Sequence, residues 1–480
     1  MKISKLICAV IAAVTLFGVA PRAVAAPYML GVFADPKAPS MLIGEVTTGD
    51  LLYAVGDDTA YNPVGLVKVM TLLLAAEAVE RGAVVTRESK VSVTLTALNA
   101  TPSGGTNTGL VLGETLRFYD LLVLGFVGGG ADACNVIAER VAGDIGAFVE
   151  LMNTRAVELG CVSTLFENPH GEAADMQYTT AHDLFRITAE ASRHSLFREV
   201  AGAVTATIPA TAHNAQRVYT THNYMINPST VRHYYKYAVA GRSSQSSIHG
   251  YSTVEYAVRD GMGLVTVILG AKAVPAEDGG TDMLSISEAR RMFEWAYGQF
   301  AWREVLTETI ASGAANVRYG AGADTINLRP AETVRLLLPK ATPDVDIMRF
   351  VRIYTEENGG RGLAAPIRAG TEVGEVRIMI GDREYARVKL VTDTSVTKDY
   401  AAELRDNIST AMRKPWMIAL LIFILLLIVA YCAFAVSYNR RSRAKQIQER
   451  EKRRKLAEQR RRNESAAGAR EFEENDDDGN

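Results

Sequence analysis

Apolar positions recur at helical spacing through much of the first 300 residues. Over 66–81 they fall at Leu66, Val69, Met70, Leu73 and Leu74, which predicts a helix stopped by Gly82. The same spacing predicts helices over 119–126, 131–142 and 145–159, the last with Gly160 as its stop, and another opening at Thr180-Ala181-His182-Asp183-Leu184. Strand patterns flank this helical middle. Residues 41–46 and 51–55 are apolar runs around Thr47-Thr48-Gly49-Asp50, a hairpin pattern, and 263–269 (G-L-V-T-V-I-L) is a further strand. A strand pair, a helical middle and returning strands predict an α/β sandwich whose sheet joins distant parts of the chain.

From 310 to 390 the pattern changes to short alternating runs. Residues 333–338 form one, and 376–380, Gly381-Asp382 and 385–391 read as a hairpin, so a small β-sandwich is expected. It carries no cluster of His, Cys or paired carboxylates, which fits a spacer or partner-binding module. A helix is expected over 393–413, leading into 416–438, an uncharged and almost wholly apolar stretch. At about 1.5 Å per residue it is long enough for a hydrocarbon core of about 30 Å. Trp416, Tyr431 and Tyr438 suit interfacial belts, and Arg440, Arg441, Arg443 and Lys445 put the following end in the cytoplasm. At the other end, Lys2 and Lys5, the apolar 6–19 and Ala23-Val24-Ala25-Ala26 form a secretory signal pattern.

Charge sharpens this picture. Against 52 Lys and Arg stand 54 Asp and Glu, a net charge of −2 that hides an internal separation. The tail opens basic to Arg462 and closes acidic from Glu471 to Asp478. The basic run adjoins the membrane, where it faces anionic lipid, so no nucleic-acid role follows. Cys8 and Cys432 fall in the signal and the span. Cys134 and Cys161 are left either as one disulfide or as two buried thiols. No metal-ligand spacing occurs, and neither a metal nor another cofactor is expected. The expected domains are a signal peptide (1–26), a first domain (27–300), a small β-rich domain (301–392), a membrane-proximal helix (393–415), one transmembrane helix (416–438) and a charged cytoplasmic tail (439–480).

Candidate chemistry lies in the first domain. Asn62-Pro63-Val64-Gly65-Leu66-Val67-Lys68-Val69-Met70-Thr71 resembles the P-A-S-x-x-K-x-M-T signature of the D-alanyl-D-alanine carboxypeptidases (peptidase family S11), the low-molecular-weight penicillin-binding proteins. Thr164-Leu165-Phe166-Glu167-Asn168-Pro169-His170-Gly171 and Tyr178-Thr179-Thr180-Ala181-His182-Asp183 resemble that family's T-x-F-x-N-P-H-G and Y-T-T-A-x-D. The resemblance covers about 35–300 and, more weakly, the β-rich part to 392. It implies a serine β-lactamase/transpeptidase-like sandwich, an antiparallel sheet with a helical subdomain. His170 and Asp132 read as structural, a turn histidine and a helix brace.

Three family motifs are altered. In the family a serine attacks the penultimate D-Ala carbonyl, and a lysine one helical turn on takes its proton. Here Gly65 stands at the nucleophile position. Lys68 survives at the base position, either as a buried lysine needing a carboxylate or in a residual binding role. The S-G-N motif aligns with Gly129-Gly130-Ala131, so the proton-relay serine (position 129) and the amide-orienting asparagine (position 131) are both absent. K-T-G-x-T aligns with Arg242-Ser243-Ser244-Gln245-Ser246, read either as an exposed polar loop or as a site where Arg242, Ser243 and Ser246 still hold an anionic peptide end. Loss of the nucleophile alone costs a serine hydrolase about 10⁶-fold in rate. The resemblance therefore implies a membrane-anchored pseudoenzyme of peptidoglycan metabolism, binding stem peptides or an envelope protein. A working serine D-Ala-D-Ala carboxypeptidase and a pure envelope scaffold are the alternatives. The expected location is the cell membrane, with one span and an extracytoplasmic ectodomain.

Overall fold

A computed structural model describes residues 32–82, 84–276, 279–354 and 362–473, with side chains to 463. The signal expected over 1–26 lies outside the described residues, and so do the side chains of the acidic end of the tail. Strand β1 (Ser40–Glu45) pairs antiparallel with β2 (Leu51–Val55), completing the expected hairpin. Its other edge pairs with a segment from far along the chain. With β3 (Ala238–Ser246), β4 (Gly250–Arg259) and β5 (Met262–Ala271), the sheet order is β2-β1-β5-β4-β3. Side chains alternate across this sheet. Leu42, Val254, Val265 and Val267 face a helical layer, while Met41, Ile43, Ala257, Leu264 and Ile268 face a helix over Leu284–Gln299 through Ile286, Ala289 and Phe293. Each fully buried Leu, Ile or Phe contributes about 1.5–3 kcal/mol, so both faces are needed to hold the layers together.

Helix α1 (Lys68–Arg81) runs through the middle of the helical layer, with Leu72, Leu73, Leu74, Ala75 and Ala76 all buried. A helix apolar on every side is an interior helix. Its end matches expectation: Gly82 caps it at φ 64, a left-handed position that favours glycine. Its start differs. The expected helix from Leu66 opens as a 3-10 turn, Val64–Val67, and α-helical geometry begins only at Lys68. Around α1 lie α2 (Phe118–Phe126), α3 (Ala131–Ala142), α4 (Ile145–Glu158) and α5 (Ala181–Ala191), all expected from spacing. Asp132 accepts hydrogen bonds from Thr108 N and Thr108 Oγ1, both at 2.9 Å, and from Ala133 N, the expected helix-bracing role. Cys134 and Cys161 are free, buried thiols, so the disulfide alternative is not realised.

The chain divides into two compact units. The first holds the chain to Val305 with Val334–Met348 and Ile380–Arg383; the second holds Leu306–Thr333, Arg349–Met379 and the chain from Glu384 onward. The second centres on a six-stranded sheet that includes the expected hairpin, Glu372–Ile380 with Arg383–Thr392. Of the expected helix over 393–413, Tyr400–Met412 is helical (α6), with Asp399 accepting from Ala401 N and Ala402 N as its cap. A last helix, α7 (Pro415–Glu473), does not stop at Tyr438 but continues without interruption into the basic tail. Its apolar part is long and apolar enough to cross a membrane.

Candidate active-site cleft

Gly65 lies in the 3-10 turn between Pro63 and α1, and that turn packs against β3. Residues from both segments line a cleft of about 350 Å³, joined by Thr106, Gly129, Glu172 and His222. Val64, just before Gly65, holds φ 48. A β-branched residue there is strained by roughly 1–3 kcal/mol and persists only where its surroundings over-determine it. The surroundings are visible. Asn62 Oδ1 accepts from Val64 N at 2.9 Å, and Gly171 fits so closely that a Cβ added there would lie 1.8 Å from Val64 O.

Lys68 is 2% exposed. Its ammonium donates to His170 O at 2.6 Å and lies 3.6 Å from Glu172 Oε1. The carboxylate that a buried lysine requires is therefore Glu172, one residue beyond the Asn168–Gly171 string. The loop is shaped to deliver it. Asn168 Oδ1 accepts from Gly171 N at 2.6 Å, His170 Nδ1 accepts from Glu172 N at 3.1 Å, and Glu172 Oε2 accepts from Thr106 N at 2.7 Å. Burial lowers the Lys68 pKa to about 8, with the Arg242 charge adding to the shift and Glu172 opposing it. Burial and the Lys68 charge push His170 down to about 3, so it is a neutral acceptor in the turn, as its structural reading expects.

The opposite wall is strand, not loop. Arg242, also buried, donates from Nε to Gly65 O at 3.0 Å and from Nη1 to Phe126 O, with its guanidinium 5.2 Å from the Phe126 ring centre. Burial lowers its pKa to about 10. Its Nη2 has no acceptor among the described residues and lies 3.3 Å from where a Cβ at Gly129 would sit. Gly129 itself holds φ 74, so the position tolerates a side chain poorly. Ser244 Oγ accepts from Gly65 N at 3.0 Å, and it lies 3.0 Å from where a Cβ at Gly65 would stand.

The structure thus gathers Gly65, Lys68, Gly129, Arg242 and Ser243 at one cleft. Ser243 also accepts from Thr253 Oγ1 at 3.3 Å. Two other expected positions lie elsewhere. Ala131 is fully buried at the start of α3 and does not line the cleft. Ser246 closes the β3–β4 turn, accepting from Ile248 N and His249 N at 3.2 Å each. Glu172, Ser244 and His222 are among the cleft residues that the motif reading did not name as site residues.

The five-stranded antiparallel sheet, with a buried lysine helix beside its edge strand, has the fold of solved penicillin-binding proteins. Penicillin binding protein 5 from Haemophilus influenzae superposes with a TM-score of 0.58 at 21% identity, covering 77% of this chain and 100% of that one. Penicillin binding protein 6B from Escherichia coli gives 0.57 at 23%, covering 76% and 98%. The family model of the D-alanyl-D-alanine carboxypeptidases matches residues 26–273, more than half of the sequence, and the chain belongs to that family. Among its relatives, D-alanyl-D-alanine carboxypeptidase DacD of Escherichia coli is 28% identical over 365 residues, 75% of this chain and 87% of that protein.

Proposed function

We propose that this chain is a membrane-anchored pseudoenzyme of cell-wall metabolism that binds D-alanine-ended stem peptides of peptidoglycan without cleaving them. Residues 27–300 form the binding domain in this reading, 301–392 a β-rich spacer, 416–438 the span and 439–480 the cytoplasmic tail. The observation that carries the proposal is Gly65. The turn there has no hydroxyl, and its N–H is already bonded to Ser244 Oγ at 3.0 Å. A nucleophile and a free N–H donor for a developing oxyanion are therefore both missing from the turn. What remains suits holding a carboxylate: Lys68 is balanced by Glu172, while Arg242 keeps its Nη2 edge toward the cleft.

Exposing the purified full-length protein to a fluorescent penicillin tests the loss of catalysis, with no covalent label expected and labelling overturning it. Titration with a D-Ala-D-Ala pentapeptide tests binding, expected at least tenfold weaker in Arg242→Gln. Absence of binding in the unaltered protein favours an envelope partner or scaffold role instead.

One observation favours a second reading, a working hydrolase. Ser244 places a hydroxyl in the same cleft as Lys68, whose pKa of about 8 leaves part of it neutral near neutrality. Release of D-Ala that disappears in Ser244→Ala would establish this reading.

A further inference from the structure

The sheet that carries Arg242 also buries a carboxylic acid that the cleft does not use. Glu255 lies in the middle of β4, on the face turned toward the helix over Leu284–Gln299, and is 0% exposed. Among the described residues neither of its carboxyl oxygens has a hydrogen-bond partner, and Thr266 Oγ1 and Asn223 Nδ2 are likewise buried without one. Glu255 stands opposite Thr266 of β5 on one side and Gly241 of β3 on the other. A Cβ at Gly241 would lie 2.3 Å from Glu255 Oε2, so the carboxyl group rests directly against the β3 backbone. Buried polar atoms are nearly always paired, and an unpaired carboxylate in such a place costs far more than the neutral acid.

No charge reaches in to compensate. The titratable groups on this face are Tyr235 and Tyr297, both stacked on Phe293, Glu288, held by Arg291 at 2.6 Å, and Arg259, which pairs with Glu294. His222, beside Asn223, lines the cleft. Gly241 and Ser243 of β3 and Thr266 of β5 bring no charge. Burial pushes the Glu255 pKa well above 4.5, and only the Asn223 amide opposes it.

We propose that Glu255 is a proton-controlled latch under the cleft: as a neutral acid it lets β3 lie closed on β4, and on losing its proton it draws in water, lifts β3 and dislodges Arg242. β3 is the outer strand of the sheet, so it is the wall around Glu255 that is free to move. Gly241, against the carboxyl group, adjoins Arg242, whose Nε holds Gly65 O at 3.0 Å. The effect on ligand rests on the reading of Arg242 as the group that holds an anion; the latch itself does not. Opening returns Glu255 to water and so releases its proton. Between its ordinary value of 4.5 and its raised value in the closed sheet, the equilibrium for opening therefore grows about tenfold per pH unit. Above the raised value it levels off.

Hydrogen exchange in peptides spanning β3 of the full-length protein, followed from about pH 5 to about pH 9, measures this opening without ligand. After correction for intrinsic exchange rates, β3 protection is expected to fall about tenfold per pH unit within the window and to stay nearly level in Glu255→Gln. Equal slopes in the two proteins overturn the latch. Should Glu255→Gln not fold, the infrared carbonyl band of a neutral carboxylic acid in the unaltered protein decides. It is expected to persist at about pH 7 and to vanish as β3 protection levels off, and its absence at about pH 7 overturns the latch. Titration with the D-Ala-D-Ala pentapeptide separates the latch from the binding reading. An affinity that falls more steeply with pH in the unaltered protein than in Glu255→Gln supports both. A working latch with equal affinity slopes overturns Arg242 as the anion-holding group. Absence of pentapeptide binding at every pH overturns the binding reading, and the exchange slopes alone then decide the latch.

Discussion

Two buried cations face the same cleft and are held by different means. Lys68 has a carboxylate, Glu172, held in place by bonds from Thr106 N to its Oε2 and from its own N–H to His170 Nδ1. Arg242 has backbone carbonyls of Gly65 and Phe126 and an aromatic face, and no carboxylate within ion-pair distance among the described residues. A compensated charge contributes mainly to holding its own loop in place. One held only by carbonyl dipoles keeps most of its field for something that enters the cleft. In the proposed function the lysine wall acts as scaffolding and the arginine wall recognises the anion.

The difference between the walls can be broken most severely at Gly171. A Cβ there would lie 1.8 Å from Val64 O, and φ is 81, so Gly171→Ala should destabilise the protein by more than about 3 kcal/mol in chemical denaturation. Glu172→Gln puts Lys68 into the position of Arg242, a buried cation without a carboxylate. A cost of about 1–3 kcal/mol is expected, with pentapeptide binding retained or strengthened. A binding loss instead would show that the lysine wall recognises ligand as well.

The same contrast has a pH signature. Lys68 titrates at about 8 in the fold, below its ordinary value of 10.5. Between those values the unfolded chain holds a proton that the folded one has released. The Lys68 contribution therefore raises stability as pH climbs from about 8 to 10.5, and below 8 its full penalty is present. Melting curves of the unaltered protein and Lys68→Met should diverge over that range, and parallel curves would contradict the burial argument. A smaller effect is expected for Gly65→Ser. Contact with Ser244 Oγ should cost about 1 kcal/mol, and penicillin acylation should stay absent. Adding Ser244→Gly should relieve the strain, so persistence of the cost would place it elsewhere. Ser246→Ala, which touches only the turn, should lose at most about 1 kcal/mol and leave binding unchanged.

The helical layer was legible because its spacing is local: 131–142 reads as a helix from its own residues and is one. The start of α1 was not, since the 3-10 turn at Gly65 is imposed by the loop at Gly171 and by β3, both distant in sequence. Glu172 escaped for the same reason. Nothing near it in the chain announces a lysine 104 positions earlier. The third motif was legible only in part: Arg242 and Ser243 line the cleft and Ser246 does not. Read as a loop, Arg242-Ser243-Ser244 gives no preference among its hydroxyls. In a strand, side chains alternate, so Ser244 shares the face of Arg242 while Ser243 turns toward Thr253. The β3–β4 register, Ser244 opposite Ser252, fixes that choice and depends on residues outside the motif.

The helix Pro415–Glu473 has 59 residues and no interruption at Tyr438. At about 1.5 Å per residue it is a shaft of roughly 88 Å. Such a shaft resists twisting, because turning one end against the other distorts backbone hydrogen bonds along its length. In the proposed topology, a rotation imposed at Pro415 by whatever occupies the ectodomain would swing Arg450 and Arg462 through the same arc in the cytoplasm. Among the described residues the helix is unbroken from Pro415 to Glu473.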